Sequence, residues 1–293
     1  MESIPYDKRS GKIWFNGKLV EWADANIHIL NHGLHYASCV FEGERVYEGK
    51  IFKLEEHTER LFHSADRLGF TIPYSQEVLN KSCKDIVKIQ KVNNGYVRPV
   101  VWRGSEMMAI SAQKTKIHVA IATWEWGSYF DPNLKLKGIK LNISKWRRPA
   151  PNTIPWDTKA SGLYMICTLS KHEAEKEGFT DSLMLDYQDN IAEATGANIF
   201  FKNNKNELHT PVPDSFLDGI TRRTIINLAK SKNIKIIERK IKPEELSDFV
   251  GCFLTGTAAE VTPVSQIQKY KFEVCDLIKD LSESYQQLVR KKI

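Results

Sequence analysis

Two short turn signals do most to limit how this chain can fold. In KIWFNGKLVEW, Asn16-Gly17 separates two apolar runs, and in RVYEGKIFKL the pair Glu48-Gly49 does the same. A two-residue connection of this kind turns the chain back on itself, so each pair marks a β-hairpin. Residues 54–68 then set Leu54, Leu61, Ala65 and Leu68 at helical spacing with Gly69 placed to stop them, which predicts an amphipathic helix. A second helix is predicted over 76–92, and strands over 96–102 and 117–124. The Gly, Pro and Asn of GSYFDPNLKLKG interrupt the pattern. That break divides the chain into a small N-terminal domain, 1–128, a connecting loop, 129–137, and a larger C-terminal domain, 138–293.

Beyond the break, helices and strands alternate. A strand is predicted near 138–144, a helix over about 161–178, strands at SLMLD and ANIFF, a helix after Thr221 and a strand over 234–240. A short helix from Pro243, a strand over 252–255 and an amphipathic helix from Val274 to Leu288 complete the series. The fold class is therefore α+β or α/β, and 293 residues fit two domains. No apolar run approaches the length of a bilayer span, and MESIPYDKRSGK lacks the hydrophobic stretch of a signal peptide, so a cytoplasmic protein is expected. The five cysteines are odd in number and never spaced Cys-x-x-Cys, which suggests neither a disulfide framework nor a zinc site. The charge of +6 comes from lysines dispersed among acids, so neither nucleic acid nor membrane is an expected partner.

Several residues invite chemistry, each with an ordinary alternative. Lys159, in PWDTKASGLYM, is either a solvated lysine or an amine nucleophile toward a carbonyl if its surroundings strip its proton. Glu193 in IAEATGANIFF is either a turn acid or a carboxylate held against a pyridinium nitrogen. LDGITRRTI and LTGTAAEV place Gly219, Ile220 and Thr221 before a helix and Gly256 and Thr257 after a strand, arrangements that serve capping or an anion equally. Arg60 is an exposed ion-pair member or a phosphate partner. Tyr96 and Arg98 alternate on one strand, so they face the same side and together suit a carboxylate, or else Arg98 sits at a sheet edge. Tyr36, Phe41, Trp126 and Tyr129 supply an apolar wall or simply core. His32 and His35 have no evident third ligand, so no metal is expected.

In this order along the chain, HYASCVFEGERVY, IFKLEEHTERL, GYVRPVVW, EATGANIFF, LDGITRRT and TGTAAEVTPV resemble the branched-chain amino-acid aminotransferases, class IV pyridoxal-phosphate enzymes of fold type IV. The resemblance spans nearly the whole chain. It implies a smaller N-terminal α/β domain, a larger C-terminal domain with a barrel-like β core and flanking helices, and pyridoxal 5'-phosphate as cofactor. By the same resemblance Lys159 binds the cofactor as a Schiff base and shuttles the proton at the substrate Cα. Tyr164 meets the phenolic oxygen and Glu193 the ring nitrogen, with Thr195, Gly196 and Asn198 beside it. Arg60, Ile220, Thr221 and Thr257 bind the phosphate, and Leu217, Gly219 and Gly256 complete the cofactor site. Tyr96 with Thr257 and Ala258 holds the substrate α-carboxylate, Arg98 takes the distal carboxylate of glutamate, and Tyr36, Phe41, Gly43, Trp126 and Tyr129 line the aliphatic side-chain pocket.

The reaction so implied is reversible ping-pong transfer of an amino group between L-leucine, L-isoleucine or L-valine and 2-oxoglutarate, in a homodimer or homohexamer. A transaminase for D-amino acids or amines, or an aminodeoxychorismate lyase, shares the fold and stands as the alternative. The sequence departs from the pattern at Ala37, Glu44 and 160–162. Of these, Glu44 is expected to border the pocket and to bear on substrate range.

Overall fold

Asn16 and Gly17 take φ of 48° and 86°, and Glu48 and Gly49 take 50° and 76°, the left-handed backbone that a tight hairpin turn requires. The computed structural model describes residues 4–130 and 137–291, so most of the expected 129–137 connection falls outside them. By contacts the chain divides into two units: Met1–Gly127 with Thr158–Gly162, and Ser128–Asp157 with Leu163–Ile293. Chain order placed Lys159 in the C-terminal domain, yet its short segment packs with the first unit. The causes are specific: Ala160 bridges Val40, the Lys159 N–H donates to Ser64 Oγ at 3.0 Å, and the Phe41 N–H donates to the Lys159 carbonyl at 3.1 Å.

The first unit holds β1 (Lys12–Phe15) and β2 (Lys18–Glu21), then β3 (Cys39–Phe41), β4 (Glu44–Tyr47), β5 (Lys50–Ile51), β6 (Gly95–Arg103) and β7 (Ile117–Glu125). They form one antiparallel sheet in the order β2-β1-β7-β6-β4-β5, with β3 also on β6. Helix Leu54–Arg67 buries Leu54, His57, Thr58, Leu61, Ser64 and Ala65, one stripe at helical spacing. Each leucine so buried contributes about 1.5–3 kcal/mol. Helix Gln76–Ile89 starts where Ser75 accepts the Val78 N–H, and it stops short of the expected Val92 because Lys91 turns to φ 53°.

The second unit contains β8 (Ile139–Arg147), β9 (Asp181–Leu185), β10 (Ile191–Ala194), β11 (Asn198–Asn203), β12 (Leu208–Thr210), β13 (Ile236–Glu238), β14 (Phe249–Gly256), β15 (Glu260–Ile267) and β16 (Tyr270–Lys271). Their order is β10-β9-β8-β15-β14-β11-β12-β13, with β16 against β15. This is a mixed sheet: β8 runs parallel to both β9 and β15, and β12 to β13. Every residue of β9, β10 and β12 is buried, the signature of strands covered on both faces. Phe200 stacks on Phe253 at 5.0 Å and Phe201 on Phe249 at 4.9 Å, tying β11 to β14. β15 was not foreseen, because Pro263 and scattered polar residues argue against an internal strand. Helices Met165–Lys176, Ile220–Ser231 and Asp276–Val289 complete the unit, the first preceded by a 3₁₀ turn at Ser161–Tyr164 rather than being helical from Ser161. Among the described residues no helix is long and apolar enough to cross a membrane.

Candidate active site

In the first unit, helix Leu54–Arg67 carries His57, Arg60 and Ser64 three and four residues apart, which puts them on one face. Arg60 donates from Nε at 2.6 Å and from Nη2 at 2.9 Å to the carboxylate of Glu42, which is fully buried between β3 and β4. The same carboxylate accepts from His57 Nδ1 at 2.7 Å and from the Gly43 N–H at 3.2 Å. Burial alone would raise the proton affinity of Glu42. The charge of Arg60 and the His57 contact outweigh it and hold the carboxyl far below the usual range. Burial, the largest influence on His57, lowers its proton affinity, so the ring is neutral near pH 7 and its proton sits on Nδ1 facing Glu42. One turn farther along the helix, Ser64 holds the Lys159 backbone, and Lys159 Nζ lies 5.0 Å from the centre of the Phe41 ring.

Tyr96 and Arg98 share one face of β6. β6 is flanked by β7 on one side and by β3 and β4 on the other, so Arg98 is not at a sheet edge. Its guanidinium lies 4.6 Å from the Phe41 ring centre and 5.3 Å from that of Tyr96, and Nε is buried with no hydrogen-bond partner among the described residues. Trp126 meets Tyr96 edge-on at 4.8 Å. Gly43 makes this possible, because a Cβ there would sit 1.7 Å from the Tyr96 hydroxyl oxygen. Tyr36 instead stacks on His32 at 4.6 Å and remains 45% exposed. Glu44 also departs from expectation. It faces away from Arg45, which lies near Tyr47 and Trp126, and toward the side of Cys83 of helix Gln76–Ile89. Glu44 therefore points into the core beneath the sheet.

In the second unit Glu193 lies on strand β10, not in a turn, just beyond an irregularity in the β9–β10 register. Arg148 Nε stands 3.4 Å from one of its oxygens, and Asn198 Nδ2 donates to the other at 3.2 Å. Asn198 Nδ2 also donates to the Leu217 carbonyl at 2.9 Å, while Asn198 Oδ1 accepts the Gly219 N–H at 3.1 Å. One side chain thus couples Glu193 to the start of helix Ile220–Ser231, which begins without a side-chain cap. Such a helix start with Thr221 beside it suits an anion. Thr195 is engaged elsewhere, donating to Asp181 at 2.6 Å, and Gly196 is exposed. Thr257 and Ala258 form the turn between β14 and β15, Gly256 ends β14, and Thr255 Oγ1 is buried with no partner among the described residues. Tyr164 sits at the start of helix Met165–Lys176, and exposed Tyr129 meets Phe130 edge-on.

The family described as amino-transferase class IV matches residues 39–267. The chain belongs to the class IV aminotransferases. It is 43% identical over 282 residues to a probable branched-chain-amino-acid aminotransferase of Rickettsia bellii, covering 95% of this chain and 96% of that one. The structure of a branched-chain amino acid aminotransferase from Escherichia coli superposes with a TM-score of 0.92 at 32% identity, covering 97% of each chain. An aminotransferase from Brucella abortus bound to the cofactor PLP gives 0.85 at 25% identity, covering 97% of this chain and all of that one. The fold is therefore that of the class, α+β, with an antiparallel sheet in one unit and a mixed sheet in the other.

Within this class IV chain, the sequence alone does not mark Glu42, His57 or Arg148, the last in the basic run KWRRP, as site residues. Glu42 stands within HYASCVFEGERVY, and His57 sits one helical turn before Arg60. Nothing local in the sequence says that a buried carboxylate joins them, since the pairing spans 15 and 18 residues. Arg148 likewise reaches Glu193 only through the placement of β8 and β10.

Proposed function

We infer that this chain is a pyridoxal-phosphate-dependent branched-chain-amino-acid aminotransferase, exchanging an amino group between L-leucine, L-isoleucine or L-valine and 2-oxoglutarate. Its residues fit the cofactor. Lys159 and Arg60, on adjoining parts of the first unit, supply an amine and a clamped guanidinium. Within the second unit, taken by itself, the Glu193 carboxylate is backed by Asn198 and Arg148, and helix Ile220–Ser231 starts without a side-chain cap. These are the groups that a phosphorylated pyridine aldehyde requires.

Pyridoxal phosphate, when bound, would supply the electron sink for breaking the Cα–H bond and the carbonyl carbon that takes up the amino group. The chain's residues do the rest. Lys159 Nζ binds the cofactor and then moves the proton at the substrate Cα. Glu193 accepts from the ring nitrogen and keeps it protonated, and Tyr164 meets the phenolic oxygen. By the resemblance, Arg60, Ile220, Thr221 and Thr257 would hold the phosphate. Tyr96, Thr257 and Ala258 receive the α-carboxylate.

The observation that carries the substrate choice is Arg98. A guanidinium lies across the Phe41 and Tyr96 rings with a buried Nε that no described residue accepts from. An apolar wall for a branched side chain thus adjoins a donor for the distal carboxylate of glutamate, which is what a two-substrate site needs. Assembly into a homodimer or homohexamer is supported by exposed apolar side chains at Ile27, Ile29, Leu30, Leu34 and Tyr36. A cytoplasmic setting is supported by five free cysteines. The test is a donor panel of L-leucine, L-isoleucine, L-valine, D-alanine and a chiral amine with 2-oxoglutarate. Turnover of the three L-amino acids is expected; a preference for D-alanine or the amine overturns the reading.

A further inference from the structure

We propose that Glu42 is the positioning residue that fixes the Arg60 guanidinium for the cofactor phosphate, with His57 holding Glu42 in place. The proposal rests on Arg60 being the phosphate arginine. Glu42 accepts four hydrogen bonds: two from Arg60, one from His57 and one from the Gly43 N–H. It has no exposed surface, and the Arg60 side chain is only 11% exposed, so neither can exchange this partner for water. The two bonds from Arg60 engage Nε and Nη2 side by side, which fixes the plane of the guanidinium as well as its place. Nη1 is the nitrogen that Glu42 does not use.

The same helix face reaches Lys159, because Ser64 lies one turn after Arg60 and accepts the Lys159 N–H. Phe41, next to Glu42 in the chain, donates to the Lys159 carbonyl. Arg60 and Lys159 are therefore fixed against a common frame of one helix and one strand end, and Glu42 is the buried ionic link in it. A network with every acceptor satisfied is stiff, and a stiff donor loses less freedom when it binds an anion.

The test compares two aldehydes on the full-length protein stripped of cofactor: pyridoxal phosphate, and pyridoxal, which lacks the phosphate. Binding is followed by visible absorbance. Glu42→Gln is expected to weaken pyridoxal phosphate by about tenfold or more while leaving pyridoxal nearly unchanged. In an Arg60→Ala background the same substitution is expected to add nothing. Glu42→Asp, which keeps the charge but withdraws it by one methylene, is expected to give the same discrimination in weaker form. Equal loss toward both aldehydes, in either variant, overturns the proposal and makes Glu42 a residue of general folding. Undiminished or tighter binding of pyridoxal phosphate overturns it as well. A parent chain that develops no absorbance with either aldehyde instead sinks the cofactor reading on which it rests.

Discussion

Glu44 offers a quantitative test of the first unit's packing. It opens β4 with no exposed surface, paired in register with Val97, and both carboxyl oxygens are buried without a partner among the described residues. Burial first, and then the nearby charge of Glu42, push its proton affinity well above the ordinary value, while Arg60 pulls the other way. The folded chain therefore keeps a proton that the unfolded chain releases. An acid with a raised folded value contributes stability that is complete below its unfolded value, near 4.5, and is lost as the pH rises toward the folded one. Within that window each pH unit costs about 1.4 kcal/mol. Glu44→Gln keeps the shape and removes the ionisation. Across an interval that opens above about pH 5.5, the variant should gain stability on the parent at up to about 1.4 kcal/mol per pH unit until the folded value is passed. Urea unfolding of both proteins at several pH values measures this, because other titrating groups cancel in the difference. A difference that stays flat across the interval refutes the buried neutral acid.

Two further outcomes follow from the geometry. Arg98→Ala should lower kcat/KM with glutamate or 2-oxoglutarate by about tenfold more than with leucine, since only the former lose an ionic partner; equal losses in steady-state kinetics argue against recognition of the distal carboxylate. Gly219→Ala places a Cβ 2.2 Å from Asn198 Oδ1, an atom held by its bond to the Gly219 N–H. Thermal unfolding should then report a cost of about 1–3 kcal/mol, accompanied by weaker cofactor binding; an unchanged melting point would show that Asn198 yields freely.

Where a few neighbouring residues decide conformation, the sequence was sufficient. Asn16-Gly17 and Glu48-Gly49 close hairpins because the turn itself demands their backbone. The helix at Leu54–Arg67 follows from a stripe of apolar side chains at one spacing. Ordered motifs along the chain likewise pointed to the class IV family, since each is a short run read without its neighbours in space.

Tertiary structure decided what depends on distant partners. β15 contains Pro263, and it becomes an internal strand only because β8 and β14 flank it. Glu193 reads as a turn acid until β9 and Arg148 enclose it on β10. Glu44 could face either side of its sheet, and strand register sent it to the core. Lys159 belongs to the C-terminal segment by position but packs with the first unit, held there by Ser64 and Phe41. The charge on Glu42 is stable in a dry interior only because Arg60 and His57 converge on it from a helix that begins twelve residues later, an electrostatic balance set by distance in space. Periodicity and turn chemistry act through adjacent residues and are written in the sequence; burial, register and charge pairing act through contacts between remote ones and exist only once the chain has folded.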